Sequence, residues 1–303
     1  MKFLTRYELL ATVLLLVSYA GSTAELTQHT VVADGHPVAL WEKRNENAAE
    51  AILLVHGRTW SALPDFDLQL EGEQLSLMDG LVEQGFAVYA VDLRGYGSTL
   101  RDDSGWLTPN RAADDVAIVI DWIAARQDWD VLPHLFGWSM GATISQLAAQ
   151  RHPGRIASLT LFGYWRDDDV DLPADEPDIE PQHSENTAAA AASDFITPGS
   201  ISQNAIDAYV ALALATDPVK TDLRRFDEYN ALDASLIDVP ALVIQGEHDP
   251  LAPTEYQVRL YSRLGTAHKQ WVTVPGGDHA AFMETPRDYF IHALVSFLQG
   301  VPR

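Results

Sequence analysis

His134-Leu135-Phe136-Gly137-Trp138-Ser139-Met140-Gly141-Ala142-Thr143-Ile144-Ser145-Gln146-Leu147-Ala148-Ala149-Gln150-Arg151 sets a short apolar run against a helical one, with a serine at the joint. HLFGWS reads as a buried strand and ATISQLAAQR as a helix. A strand that turns at once into a helix makes a tight corner, in which side chains two residues either side of Ser139 would collide. Glycine at 137 and 141 relieves that crowding. Ser139 then stands exposed at the carboxyl end of the strand and at the positive end of the next helix.

The same alternation extends in both directions. Upstream, AILLVHG (51–57) and FAVYAVD (86–92) are short, nearly continuous apolar runs, as expected of strands buried on both faces. Between them Leu75, Met78, Leu81 and Val82 recur at helical spacing in Glu73 to Gln84, with Gly85 placed to stop the helix. RAADDVAIVIDWIAARQ (111–127) is helical and IASLTLFG (156–163) is again a strand. After residue 237 the rhythm resumes with PALVIQG, a helix near Thr254 to Arg263, QWVTVPG, and a final helix from Arg287 to Leu298. TVVADGHPVALWEKR (30–44) reads as an antiparallel hairpin turning at Asp34-Gly35. The fold class that follows is α/β, a doubly wound, mostly parallel sheet with right-handed crossovers.

From 164 to 236 the rhythm breaks. An acidic, proline-dotted stretch (DDDVDLPADEPDIEP) leads to an alanine run at 188–192 and to two expected helices, Ile201 to Ala215 and Leu223 to Asn230. A segment that leaves the sheet and returns reads as an inserted helical lid, with 25–163 and 237–303 as the core; a disordered acidic linker fits only its first half. At the amino end Lys2 and Arg6 precede an apolar run from Leu9 to Ala20 and a small-residue close, Ser22-Thr23-Ala24. That is the layout of a secretory signal over residues 1–24, and it implies a secreted or periplasmic enzyme. A spanning helix needs roughly 20 apolar residues, and this run is shorter.

The chain has 303 residues, no cysteine, and a formal charge of −23 from 43 acidic and 20 basic residues. Thiol catalysis and zinc-thiolate sites are excluded, and the acidity excludes nucleic acid and anionic lipid as natural partners. No stable membrane insertion is expected once the signal is removed. The sequence does not indicate an oligomeric state.

A serine hydroxyl is a poor nucleophile until a base removes its proton, so a histidine and an orienting carboxylate must accompany Ser139. Asp249, in GEHDP just past PALVIQG, and His279, in GGDH just past QWVTVPG, supply them. The order Ser, Asp, His is the one that goes with a strand-turn-helix nucleophile. Loops at carboxyl strand ends gather on one edge of an open parallel sheet, so the three residues are expected to converge. Glu247 and Asp278 are rival acids with local roles, and His248 would point away if Asp249 points inward. His134, His152, His268 and His292 read as ordinary side chains. An oxyanion hole is expected from the amides of Met140 and Arg58, the latter following Val55-His56-Gly57. His56 reads as structural. The Arg58 side chain has two readings, binding a substrate carboxylate or pairing with Asp65, Asp67 or another acid.

VHG, DLRGYGS, GWSMG, GEHD and GDH together resemble the α/β-hydrolase superfamily, in its branch of lidded esterases, lipases, perhydrolases and carbon-carbon hydrolases. The resemblance covers nearly all of the chain beyond the signal, with the lid unmatched. It implies the triad Ser139, Asp249 and His279, the oxyanion pair Arg58 and Met140, and residues 92–98 as a structural loop beside the site. Relatives that dehalogenate or open epoxides carry aspartate where Ser139 stands, which argues against both reactions. The expected reaction is hydrolysis of a small-molecule carboxylic ester through an acyl-enzyme, with no metal or organic cofactor. Amide, lactone or carbon-carbon hydrolysis and perhydrolysis remain open on the same triad, as does a noncatalytic binding protein. Trp60, Trp138, Trp165, Phe195, Tyr209 and Phe226 are the candidate pocket residues.

Overall fold

The computed structural model describes residues 24–126, 131–176 and 178–302. The expected signal, save Ala24, lies outside them. Eight strands form one sheet in the order β1-β2-β4-β3-β5-β6-β7-β8. β1 (Thr27–Ala33) and β2 (His36–Lys43) are the expected hairpin. Asp34 and Gly35 at its turn have φ of 48° and 76°, the left-handed pair that suits the twist of a two-residue hairpin loop. β2 pairs antiparallel with β4 (Phe86–Val91), and every later pairing is parallel, through β3 (Glu50–Val55), β5 (His134–Trp138), β6 (Ser158–Phe162), β7 (Ala241–Gly246) and β8 (Lys269–Val274).

Alternation along the strands divides the core. In β3, Leu53 and Val55 face one cluster with α3 (Pro109–Arg126), α4 (Met140–Arg151) and α7 (Thr254–Arg263). Ile52 and Leu54 face the other, with α1 (Ala62–Phe66), α2 (Leu77–Glu83) and α8 (Arg287–Gln299). Both faces are covered, so β3 to β7 need no polar face and their sequences are near-continuous apolar runs. β4 lies on one side of β3 and β5 on the other, so the winding reverses at β3. The carboxyl ends of β3 and β5 therefore open a crevice at that switch point, and Gly57 and Ser139 lie on its two sides.

Between β6 and β7 the chain leaves the sheet. This insertion carries α5 (Ala188–Ala192), α6 (Gln203–Thr216) and two 3-10 segments, Phe226–Ala231 and Ala234–Leu236. Two expectations shift here. The helix placed at Leu223 to Asn230 is a 3-10 segment entered through Arg225, whose φ of 61° interrupts a regular helical path. The helix placed at Glu73 to Gln84 starts only at Leu77, because Ser76 caps it by accepting from the Asp79 amide at 2.9 Å. No helix among the described residues is long and apolar enough to cross a membrane.

Candidate active site

Ser139 is the N-cap residue of α4, at φ 55° and ψ −119°, a strained conformation for a residue with a side chain. Its amide donates to the Phe162 carbonyl at 2.9 Å, which fixes the corner against β6. The flanking glycines have the packing reason expected of them. A Cβ on Gly137 would lie 2.2 Å from the Gly141 carbonyl oxygen, and one on Gly141 would lie 2.1 Å from that of Val55. Either contact is with backbone, which cannot step aside.

Asp249 and His279 are brought together by β7 and β8. The His279 Nδ1 lies 2.8 Å from Asp249 Oδ2, and both residues are buried. Asp249 Oδ1 accepts the amides of Leu251 at 2.9 Å and Ala252 at 3.2 Å, so that oxygen is fixed by its own loop and Oδ2 is turned to the imidazole. Its second oxygen then accepts a hydrogen bond from Nδ1–H, which leaves Nε2 as the nitrogen without a proton. Trp138, next to the serine, donates Nε1–H to the His279 carbonyl at 2.6 Å and lies with its ring centre 5.4 Å from the imidazole. Through Trp138 the strand that carries Ser139 fixes the loop that carries His279. No hydrogen bond joins Ser139 Oγ to the imidazole among the described residues, a contact that is commonly loose in unliganded hydrolase sites.

The rival groups have other partners. Glu247 accepts the Gly276 amide at 2.8 Å, and His248 is exposed. His56 is fully buried, with Nδ1–H donating to the Gly57 carbonyl at 2.8 Å and Nε2 accepting the Leu93 amide at 3.1 Å. Burial pushes it down to about 4, so it stays neutral and braces the loop after β3 against residues 92–98. His134 is buried beside Ser158, and His152 pairs with Asp114. Asp92 accepts the amides of Ala62 at 3.0 Å and Ser98 at 2.9 Å, which makes the 92–98 loop a structural support.

Arg58 follows Gly57, and Thr59 follows with φ of 98°, an outlier for a β-branched residue. The peptide around Arg58 is thereby turned at the mouth of the crevice. Met140 is the first residue of α4 and sits at the positive end of its dipole. Ser139, Met140 and Arg58 share one cavity of about 440 Å³ with Trp165 and Phe226. The remaining wall is Leu172, Pro173, Ala174 and Asp175, from the acidic stretch. Sequence reasoning placed these residues in the inserted segment but singled out only its aromatic side chains for the pocket; the apolar Leu-Pro-Ala step among the acids was the available signal.

Of the six aromatic residues expected in the pocket, the structure brings Trp165 and Phe226 to this cavity. Trp60 is 1 % exposed and packs in the core beneath, and Trp138 is spent on His279. Tyr209 is buried, with Phe195 edge-on to it at 5.1 Å. The Tyr209 hydroxyl lies 2.9 Å from Asp65 Oδ1 and 3.1 Å from Asp194 Oδ2. One hydroxyl proton cannot serve two carboxylates. Burial, reinforced by the Asp194 charge, raises Asp65 well above the usual range, and burial raises Asp194 to about 6.

The insertion is tied to the core by buried acids. Asp217 accepts the Ser61 amide at 2.9 Å and the Gly97 amide at 2.8 Å. Asp278, next to His279, accepts the Thr197 amide at 2.6 Å, and Glu284 accepts the Ser200 hydroxyl at 2.6 Å. Glu284 is 4 % exposed beside the fully buried Asp278, and desolvation, reinforced by that neighbour, pushes it up to about 8. An unfolded chain loses the Glu284 proton near its ordinary value of 4.5, whereas the folded one keeps it to about 8. Glu284 thus contributes stability that is complete at acid pH and is lost as pH rises through that window. Glu284→Gln should flatten the fall in Tm between pH 5 and 8 and gain about 1–3 kcal/mol relative to wild type at the alkaline end; calorimetry across that range checks it, and an unchanged slope would contradict it. Among the described residues no cluster of three or more His, Asp or Glu is placed to hold a metal ion.

This fold and this corner serine define a class, and the chain belongs to the alpha/beta hydrolase family, whose model matches residues 52–293. It is therefore a hydrolase by family. Among named proteins it is similar to the pimeloyl-[acyl-carrier protein] methyl ester esterase of Neisseria meningitidis serogroup B, 26 % identical over 80 % of this chain and 90 % of that protein. The enzyme of the same name from Yersinia enterocolitica is 26 % identical over 71 % of this chain and 83 % of its own. Among solved structures, a serine hydrolase involved in carbazole degradation superposes with a TM-score of 0.64 at 18 % identity, covering 91 % of this chain and 99 % of that one. A thermophilic esterase from Thermogutta terrifontis, determined with malate bound, gives 0.63 at 20 % identity over the same shares.

Proposed function

We propose that this protein hydrolyses carboxylic esters through an acyl-enzyme on Ser139. His279 Nε2 takes the serine proton as Oγ attacks the scissile carbonyl and returns it to the departing alcohol, and Asp249 holds the imidazole and stabilises its charged form. The amides of Arg58 and Met140 receive the oxyanion. Water then attacks the acyl-enzyme by the same route, and Ser139 is regenerated. The observation that carries this reading is the buried hydrogen bond between His279 Nδ1 and Asp249 at 2.8 Å, since an imidazole that donates Nδ1–H to a carboxylate keeps Nε2 free to act as a base. Similarity to methyl ester esterases favours esters over amides or carbon-carbon bonds.

In this proposal residues 164–236 act as the lid, and Trp165 and Phe226 form the apolar wall that receives the substrate. A panel of esters of graded acyl length, with matched amides and lactones, tests the reaction class. Ester turnover well above amide turnover is expected, and amide or lactone preference would overturn the reading. Trp165→Ala and Phe226→Ala should each shift the preferred acyl length and reduce kcat/KM on the best ester about 10-fold, the loss of one large apolar contact. An unchanged ranking of esters in both variants would remove the lid from this role.

A further inference from the structure

We infer that the Arg58 guanidinium is a carboxylate-binding subsite, so that the preferred ester carries a free carboxylate close to the scissile carbonyl; this rests on the ester-hydrolase reading above. Acids outnumber bases 43 to 20 in the chain, so a cation has no shortage of partners. Arg94 pairs with Asp115, Arg101 with Asp222 and Arg259 with Asp167, while Arg126 lies over the Trp122 ring. Every remaining described arginine except Arg58 has an oxygen partner. Among the described residues, Arg58 is the one arginine with no hydrogen bond, ion pair or ring contact. The two acids that follow it most closely in sequence are engaged elsewhere, Asp65 with Tyr209 and Asp67 with Lys43 at 2.7 Å.

This unpaired cation is exposed and lines the cavity that holds Ser139. The other charged group on the cavity, Asp175, does not neutralise it. Asp175 accepts the Arg225 amide at 2.6 Å and lies 3.4 Å from Arg224 Nε. The rest of the wall is apolar, with Trp165, Leu172, Pro173 and Phe226. An ester whose carbon chain rests on those side chains meets one unsatisfied charge, and it is positive. The Arg58 backbone sits at the oxyanion and its side chain projects from there, so the carboxylate it takes lies within one arginine side chain of the reacting carbonyl. A half-ester of a short dicarboxylic acid has that geometry, and a guanidinium binds its free end with two parallel N–H···O bonds.

The test compares monomethyl glutarate with dimethyl glutarate, nearly equal in shape and differing in one charge, on wild type, Arg58→Gln and Arg58→Lys. Wild type should favour the monoester in kcat/KM, and the monoester-to-diester ratio should fall about 10- to 100-fold in Arg58→Gln, as for loss of a charged hydrogen bond. Arg58→Lys should recover part of it. Because the readout is a ratio, a general loss of turnover through the neighbouring oxyanion amide does not imitate the result. Glutarate should also inhibit hydrolysis of 4-nitrophenyl acetate, with a Ki at least 10-fold higher in Arg58→Gln or, if that variant does not fold, raised to a lesser extent in Arg58→Lys. An equal ratio, or an equal Ki, in wild type and variants overturns the carboxylate subsite. Absence of wild-type activity on all three esters overturns the ester reading instead.

Discussion

Alanine at Ser139 or at His279 is expected to reduce ester turnover by about 10⁴- to 10⁶-fold, and the double variant to be scarcely slower than either single one. In the proposed mechanism the two act as one unit. Without the imidazole the hydroxyl has no base, and without the hydroxyl the base has nothing to activate. What the proposed mechanism leaves in each variant is catalysis by the oxyanion amides and by binding, which would be common to all three. Additive losses in kcat from matched single-turnover assays would mean that the two side chains serve separate steps.

Asp249→Asn should cost about 10³- to 10⁴-fold in kcat with little change in KM. In the folded protein Asp249 Oδ1 already accepts two amides, so only Oδ2 is free to hold His279. An amide nitrogen in that place would donate to the imidazole, put its proton on Nε2 and block the base. It would also face the imidazolium without a charge. Glu247→Gln and His248→Ala, both at exposed side chains in the same loop, should keep most of the activity. Near-normal hydrolysis by well-folded Asp249→Asn would show that another acid serves His279.

The fold was legible where a single physical demand dominates each residue. β3 to β7 are covered on both faces, so their apolar runs identify them, and the ends of α7 agree with the expected span to the residue. The corner that carries Ser139 was legible for the same reason, since no residue but glycine fits at 137 or 141 against the backbone there. The insertion was less legible because its order comes from contacts remote in sequence. Asp217, Asp278 and Glu284 hold it through amides and hydroxyls of other segments, and nothing in the local pattern marks an acid as buried. The aromatic residues illustrate the same limit. Trp60, Tyr209, Trp165 and Phe226 are alike in type, yet the first two pack inward and the last two line the cavity. The free state of Arg58 was one of two sequence readings, and its lack of a partner emerges only when every acid around it is accounted for.

A fluorophosphonate probe followed by peptide mass analysis tests the central claim most directly, because it reports which hydroxyl is activated. One covalent adduct is expected on the peptide that contains Ser139, with matching loss of esterase activity and no adduct on Ser139→Ala. An adduct on a different residue, or full esterase activity in protein that the probe has not labelled, would contradict the account.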